Sequence, residues 1–153
     1  MPTYLVAFVV AKSFKKSCTT PVEQDPTEVC VWSRESAVDQ HGYALAMGHK
    51  SLAYLSYHLQ IAYPLVKMDM VAIPDFAAGA MENWGLSTYR EAVLLYKEKD
   101  SPAAAKQSVG QVIVHELTHQ WFGNLVSPEW WSYTWLKEAF AGYYQFIITQ
   151  MVS

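Results

Sequence analysis

The pattern of hydrophobic and polar positions divides the chain into a strand-rich beginning and a helical part that follows. Residues 3 to 11 and residues 29 to 33 are apolar, β-branched and aromatic runs, as is typical of strands. We expect these runs to pair as a hairpin, joined by a turn-rich connection that contains two prolines. From about Ser36, apolar residues recur mostly at helical spacing, so one or two helices are predicted before Pro64.

After Pro64 the pattern returns to strands. VKMDMVAI at 66 to 73 alternates as a strand does, and GAMENWGLSTYREAVLLY at 79 to 96 predicts strands around a turn. The charged stretch KEKD at 97 to 100 indicates a solvated loop.

Two helices are predicted in the last third of the chain. Ser101 followed by Pro102 is typical of a helix start, and Gly123 is typical of a helix end, so a helix is expected over about 102 to 122. Another is expected to begin near Ser132 or Thr134 and to run to the chain end.

Composition indicates a globular domain and excludes two classes of function. The chain has 153 residues, 52% of them hydrophobic, which is enough for a core of ordinary size. Its net charge is −3 and its eleven Lys and Arg residues are scattered, so we expect no nucleic-acid partner. No segment is long and apolar enough to predict a transmembrane span in this chain.

Two cysteines flank the connection of the predicted hairpin. Cys18 and Cys30 would face each other across paired strands if the chain resides in an oxidising compartment. Two unpaired thiols are the alternative, because spacing alone does not establish the geometry of a disulfide.

The segment HELTH has the spacing of a metal site on a helix. At about 100° per residue, His115 and His119 lie about 40° apart, so both imidazoles can reach one zinc ion. Glu116 lies on the flank of the same half of the helix, beside that point. Catalytic zinc usually takes three protein ligands, and Glu138 in the next helix is the candidate third. An exposed polar helix face is the alternative for HELTH alone.

Three segments together resemble a known family. GAMENWG at 79 to 85, HELTHQWFGN at 115 to 124, and WW followed by WLKEAFA at 130 to 141 are similar to the zinc aminopeptidases of the aminopeptidase N type. These belong to the gluzincin metallopeptidases, which combine GAMEN with HExxH-x18-E. The similarity runs over nearly the whole chain, and the combined motifs are very specific.

The resemblance implies an activity and a set of site residues. His115, His119 and Glu138 would bind one Zn²⁺, and Glu116 would be the general base that activates water for release of N-terminal residues from peptides. Glu82 would receive the free α-amino group of the peptide. The backbone against which the peptide lies as an added strand would run through Gly79, Ala80, Met81, Glu82 and Asn83.

The resemblance also implies a domain organisation. The expected fold is α+β, with residues 1–33 as the last strands of an N-terminal β domain and residues 34–153 as the first part of a thermolysin-like catalytic domain. Family members are longer and use a tyrosine, well beyond the third zinc ligand, that stabilises the oxyanion. We therefore expect this chain to be a fragment that lacks the tyrosine, with apolar surface that further domains or a partner chain would cover.

Two points stay open in the sequence. A non-catalytic zinc-binding or protein-interaction module derived from such an enzyme is the alternative function. The resemblance favours the plasma membrane or the extracellular face, with the cytoplasm as the alternative location.

Lys137 and Ala139 stand where the family usually has asparagine and glycine. Helical geometry directs Lys137 away from Glu138 by about 100°, although a cation so near a ligand would weaken zinc binding.

Overall fold

A computed structural model describes residues 1–23 and 26–152 of the chain. Within these residues, one mixed sheet of five strands packs with three long helices, which confirms the predicted α+β class. The strands are β1 (Phe14–Cys18), β2 (Glu28–Arg34), β3 (Lys67–Ile73), β4 (Ala80–Met81) and β5 (Leu86–Arg90). The helices are α1 (His41–Leu59), α2 (Ala103–Thr118) and α3 (Thr134–Val152).

The sheet has the order β1-β2-β3-β5-β4. Strand β1 is antiparallel to β2, the pairs β2–β3 and β3–β5 are parallel, and the short β4 is antiparallel to β5 at the edge. Helix α1 is the crossover between the parallel strands β2 and β3, as parallel pairing requires. One hydrophobic core joins the sheet to all three helices; its fully buried members include Val31, Met70, Leu55, Ile113, Leu117 and Ile148.

The predicted strand over residues 3 to 11 is wrong. Thr3–Leu5 is a 3₁₀ turn, and the rest of that run is irregular, with Phe8 and Val10 exposed by 85% and 91%. Strand β1 pairs with β2 in its place. The hydrophobic pattern did not predict β1, because it is an edge strand. Its sequence FKKSC is mostly polar, and its residues are exposed or partly exposed. Residues 24 and 25 of the predicted connection lie outside the described part of the chain.

The two cysteines form a disulfide across the hairpin. Cys18 of β1 lies directly opposite Cys30 of β2, and their sulfur atoms are bonded. The alternative of two unpaired thiols therefore does not hold in this structure. The disulfide lies at the end of the hairpin that adjoins the segment connecting β1 to β2.

The hairpin and the following segment share one sheet. Strand β2 pairs in parallel with β3 from Glu28 opposite Lys67 to Trp32 opposite Val71. The predicted boundary between residues 33 and 34 thus falls within a continuous layer, and the division into two domains stays a prediction.

Most of the remaining predicted elements are confirmed. A 3₁₀ turn at Glu35–Gln40 leads into α1, so the helical segment ends before Pro64, and β3 matches the alternating run. Strands β4 and β5 surround a turn, although Glu91–Val93 forms a 3₁₀ turn where strand was expected.

Helix α2 is shorter than predicted at both ends. The Ser101 hydroxyl does not cap it; it accepts a hydrogen bond from the backbone N–H of Lys97 at 3.2 Å. At the other end α2 stops at Thr118, four residues early, because the chain coils back so that Asn124 N donates to His119 O at 3.0 Å. Gly123, the predicted stop, has a positive φ of 132° inside this turn.

A surface of large apolar side chains lies on and before α3. We call it the aromatic surface; its members are Trp130, Trp131, Tyr133, Trp135, Phe140, Tyr143 and Phe146, all exposed. Monomeric proteins rarely expose so many large apolar groups together. The expectation that further domains or a partner chain cover such groups stays a prediction. No helix among residues 1–23 and 26–152 has the length and hydropathy to cross a membrane.

Candidate metal centre

The two histidines of HELTH meet at the end of α2. His115 is in the last turn of the helix and His119 is the first residue after it, with Nε2 atoms 3.2 Å apart. His119 Nδ1 donates to the carbonyl of Phe122 at 2.9 Å, and His115 Nδ1 pairs with Gln145 Oε1 at 2.8 Å. Because an oxygen acceptor directs the hydrogen to Nδ1, each ring can present an Nε2 lone pair to the space between them.

The carboxylate of Glu138 completes a triangle with these nitrogens. Its Oε2 lies 3.2 Å from His115 Nε2 and 3.4 Å from His119 Nε2. Tetrahedral ligands about 2.0–2.1 Å from zinc stand about 3.3–3.4 Å from one another, so the three edges fit a zinc ion. His119 is buried whereas the Glu138 side chain is 45% exposed, so one side of the triangle is open to solvent.

The charges of the triangle suit a cation. Hydrogen bonds to His115 and His119 hold the pKa of Glu138 well below its usual range, so this group is a carboxylate at neutral pH. Burial lowers the pKa of His115. Its hydrogen bond to Glu138 and the charge of Glu116 act in the opposite direction and outweigh burial, so the net shift of this pKa is upward.

Glu116 lies inside the site and is not part of the triangle. It is buried, and its carboxylate, that of Glu82 and a ring nitrogen of His119 lie within 4.8 Å of one another. Burial raises the pKa of Glu116 to about 7, against the charges of His115 and His119, which lower it. A carboxyl group with such a pKa can accept and return a proton near neutral pH.

The GAMEN segment lies beside the triangle at the edge of the sheet. Ala80 and Met81 form β4, whose second edge has no neighbouring strand within the described residues. Asn83 Oδ1 accepts a hydrogen bond from the Thr88 hydroxyl at 3.1 Å, and Gly79 is exposed just before β4. The Glu82 side chain is buried and directed toward the metal triangle.

Three supporting residues had no role in the sequence analysis. Asn124 Nδ2 and Gln120 Nε2 donate to the Glu82 carbonyl at 2.9 and 3.4 Å, so the turn after α2 holds the GAMEN segment. Gln145 orients His115. Its position seven residues after Glu138 places it two turns further along the same face of α3, which is a signal that helical spacing could have supplied.

The expectation that Lys137 points away from the site is wrong. Its ammonium group contacts Glu82 Oε1 and lies 3.1 Å from Glu138 Oε1. The helix does rotate its Cβ away from that of Glu138, but four methylene groups let the ammonium group return to the carboxylates of Glu82 and Glu138.

Comparison with known proteins identifies the class. The Peptidase family M1 domain matches residues 43–153, and the chain therefore belongs to peptidase family M1. Within that family it is similar to proteins of the aminopeptidase N type, as the motifs indicated. It is 50% identical over 151 residues to Aminopeptidase N of Canis lupus familiaris and 49% identical over 150 residues to Aminopeptidase M1 of Arabidopsis thaliana.

A third relative is Endoplasmic reticulum aminopeptidase 1 of Mus musculus, which is 44% identical over 147 residues. The three alignments cover 96%, 97% and 96% of this chain but only 15%, 17% and 16% of the respective relatives. The chain thus spans about a sixth of the length of the curated relatives it matches.

Proposed function

We propose that the chain carries the zinc site of a metalloaminopeptidase that releases N-terminal residues from peptides. One Zn²⁺ would be held by His115, His119 and Glu138. The observation that carries the proposal is the triangle of 3.2, 3.2 and 3.4 Å between their ligand atoms, which matches the edges of a tetrahedral zinc site.

Glu116 is the general base of the proposed reaction. Zinc, when bound, would supply a Lewis acid that polarises the peptide carbonyl and makes water easier to deprotonate. The Glu116 carboxylate would take the proton from that water and return it to the leaving amine. A cation held by the neighbouring histidines would favour its ionised form, and its burial keeps bulk water from competing.

The GAMEN segment provides the binding site for the N-terminal end of the peptide. The free edge of β4 offers backbone groups to an extended peptide along Gly79 to Asn83. Glu82 is buried, and its carboxylate lies within 4.8 Å of a ring nitrogen of His119. It would therefore hold the amino end of a peptide whose first peptide bond is at the metal, and release of a single N-terminal residue would follow.

A non-catalytic interaction module remains a second candidate. The aromatic surface favours it, because a module that binds another protein would present such a surface without needing turnover. In the aminopeptidase, the same surface would be covered by other parts of a longer polypeptide.

The disulfide supports a location in an oxidising compartment. Bonded cysteines such as Cys18 and Cys30 persist in secreted, cell-surface and endoplasmic reticulum proteins and are rare in the cytosol. We therefore propose the extracellular face or the secretory pathway over the cytoplasm.

Metal analysis and a hydrolysis assay on the purified chain test the proposal. Elemental mass spectrometry should find about one zinc per chain. The native chain should hydrolyse leucinamide, and Glu116→Gln should lose this activity while it retains zinc. Glu98→Gln, in the exposed loop before α2, is the matched control and should keep both properties. Zinc without base-dependent turnover would favour the interaction module, and no zinc would overturn both candidates.

A further inference from the structure

The two oxygens of the Glu138 carboxylate contact different partners. Oε2 lies 3.2 Å from His115 Nε2 and 3.4 Å from His119 Nε2, at the third corner of the metal triangle. Oε1 lies 3.1 Å from the ammonium group of Lys137, the residue immediately before Glu138 in the chain. One oxygen therefore belongs to the proposed zinc site, and the other is engaged by a cation.

The ammonium group of Lys137 is held from several sides. It contacts Glu82 Oε1, and it lies 5.4 Å from the ring centroid of Tyr4 in a cation–π arrangement. The lysine stem passes close to Gly123, where an added Cβ would lie 3.1 Å from Lys137 Cδ. The Lys137 side chain is only 8% exposed. A donor fixed in this way can orient the carboxylate that it contacts.

A glutamate ligand can bind zinc with one oxygen or with both. Catalytic zinc usually takes three protein ligands and keeps a fourth position for water or substrate. His115, His119 and one oxygen of Glu138 supply three ligand atoms, so the second oxygen of Glu138 would compete for the fourth position. The contact with Lys137 opposes this, because the second oxygen would have to give up a charge-assisted hydrogen bond in order to turn toward the metal.

We infer that Lys137 is a positioning residue that limits Glu138 to binding zinc through Oε2 alone. The inference rests on the proposed function and deepens it, since it says how the fourth position at the metal is kept free. Residues that hydrogen-bond to zinc ligands generally orient those ligands. The role proposed for Glu82 is unchanged, because Lys137 contacts Oε1 of Glu82 and a carboxylate has a second oxygen that accepts hydrogen bonds.

Crystal structures of the zinc-loaded chain test the inference directly. In the native chain, Glu138 Oε2 should lie at the usual zinc–oxygen distance of about 2.0–2.2 Å, and Oε1 should stay outside bonding distance, against Lys137. Lys137→Met nearly keeps the length of the side chain and removes the donor. In this variant both oxygens of Glu138 should lie at bonding distance from zinc.

The visible absorption spectrum of the cobalt-substituted chain makes the same comparison in solution. Its band positions and intensity depend on the number and geometry of the ligands, so Lys137→Met should change the spectrum. Lys137→Arg keeps a charged donor and should preserve it. Lys106→Met is the matched control, because Lys106 lies on α2 over the rings of Tyr43 and Tyr96, and this variant should also have the native spectrum.

A double variant covers the case in which Lys137→Met does not fold. Loss of the ammonium group leaves the buried carboxylate of Glu82 without this partner, which is destabilising. Glu82→Gln removes that charge, so Glu82→Gln combined with Lys137→Met should fold. It should show the same two-oxygen binding of zinc by Glu138.

The outcomes separate this inference from the proposed function. Zinc bound through both oxygens of Glu138 in the native chain would overturn the role of Lys137 and leave the metal site intact. Binding through Oε2 alone in a folded variant without Lys137, or an unchanged cobalt spectrum in Lys137→Met, would do the same. Failure of the native chain to bind either metal would overturn the proposed function, and the inference with it.

Discussion

Glu138 Oε2 lies 3.2 Å from His115 Nε2, although 23 residues and a change of helix separate the two. The contact joins the end of α2 to the beginning of α3. A carboxylate and an imidazole nitrogen at this distance, with His119 Nε2 completing the triangle, form a donor set that zinc prefers.

Removal of the Glu138 carboxylate is expected to weaken zinc binding strongly. Residues that hydrogen-bond to zinc ligands typically contribute about 10- to 100-fold to zinc affinity. Loss of a ligand itself should therefore lower zinc affinity by at least about 100-fold. Competition with a chromophoric chelator would measure the dissociation constant of Glu138→Gln. Glu98→Gln, exposed and remote, should bind as the native chain does. A native-like affinity for Glu138→Gln would show that this carboxylate is not a ligand.

Gln145 is expected to support zinc binding through His115. Its Oε1 accepts the Nδ1 hydrogen of His115 at 2.8 Å, which fixes the ring orientation and the tautomer. Gln145→Leu should weaken zinc affinity by about 10- to 100-fold, less than the loss of Glu138. The same chelator competition measures it. An effect on thermal stability without an effect on affinity would assign Gln145 a packing role only.

Gly123 is expected to tolerate no side chain. Its φ of 132° is a conformation that residues with a Cβ rarely adopt, and the added carbon would lie 3.1 Å from Lys137 Cδ. Gly123→Ala should lower the free energy of unfolding by about 1–3 kcal/mol in chemical denaturation.

Gly42 of α1 is the matched control for this substitution. An added Cβ there meets nothing within 4 Å, so Gly42→Ala should raise the free energy of unfolding by about 0.5–1 kcal/mol. Equal effects of the two substitutions would contradict the argument from conformation.

His41 is expected to make the fold sensitive to acid. Its buried ring contacts Ser33 Oγ at 2.7 Å and Ser17 Oγ at 3.0 Å, and burial lowers its pKa, opposed by the charge of Asp39. The unfolded chain therefore takes up the proton first as pH falls. The stability that neutral His41 contributes is present above about pH 6.5 and is lost as pH falls toward its lower folded pKa.

Denaturation at pH 7.5 and pH 5.5 would test the role of His41. The free energy of unfolding of the native chain should be lower at pH 5.5 than at pH 7.5. This decrease should be smaller in His41→Gln. The exposed His58 offers the matched control, since His58→Gln should retain the full native loss. Identical pH dependence in native chain and His41→Gln would exclude His41 as the source.

Features that depend on neighbouring residues were accessible from the sequence. Helical spacing predicted that His115 and His119 project to one side of α2, and the apolar periodicity located α1, β3 and α3. The C-terminal end of α2 could not be predicted in the same way. A backbone turn after Thr118 replaces the last predicted turn of the helix, and this turn depends on hydrogen bonds that extend to Val126.

Features that depend on distant partners were not accessible. The run from residues 3 to 11 has the composition of a strand but no strand beside it, whereas polar β1 pairs because β2 offers an open edge. The pairing of Cys18 with Cys30 required that register.

The sequence by itself determined the family of this chain and the residues that compose its candidate metal centre, because ligand type and helical spacing are local properties that the motifs carry. Only the tertiary structure decided that Glu138 reaches the histidines and that Lys137 turns inward onto Glu82. The physical reason is that contacts with polar groups from distant segments place these two side chains: His115 and His119 for Glu138, and Glu82 for Lys137.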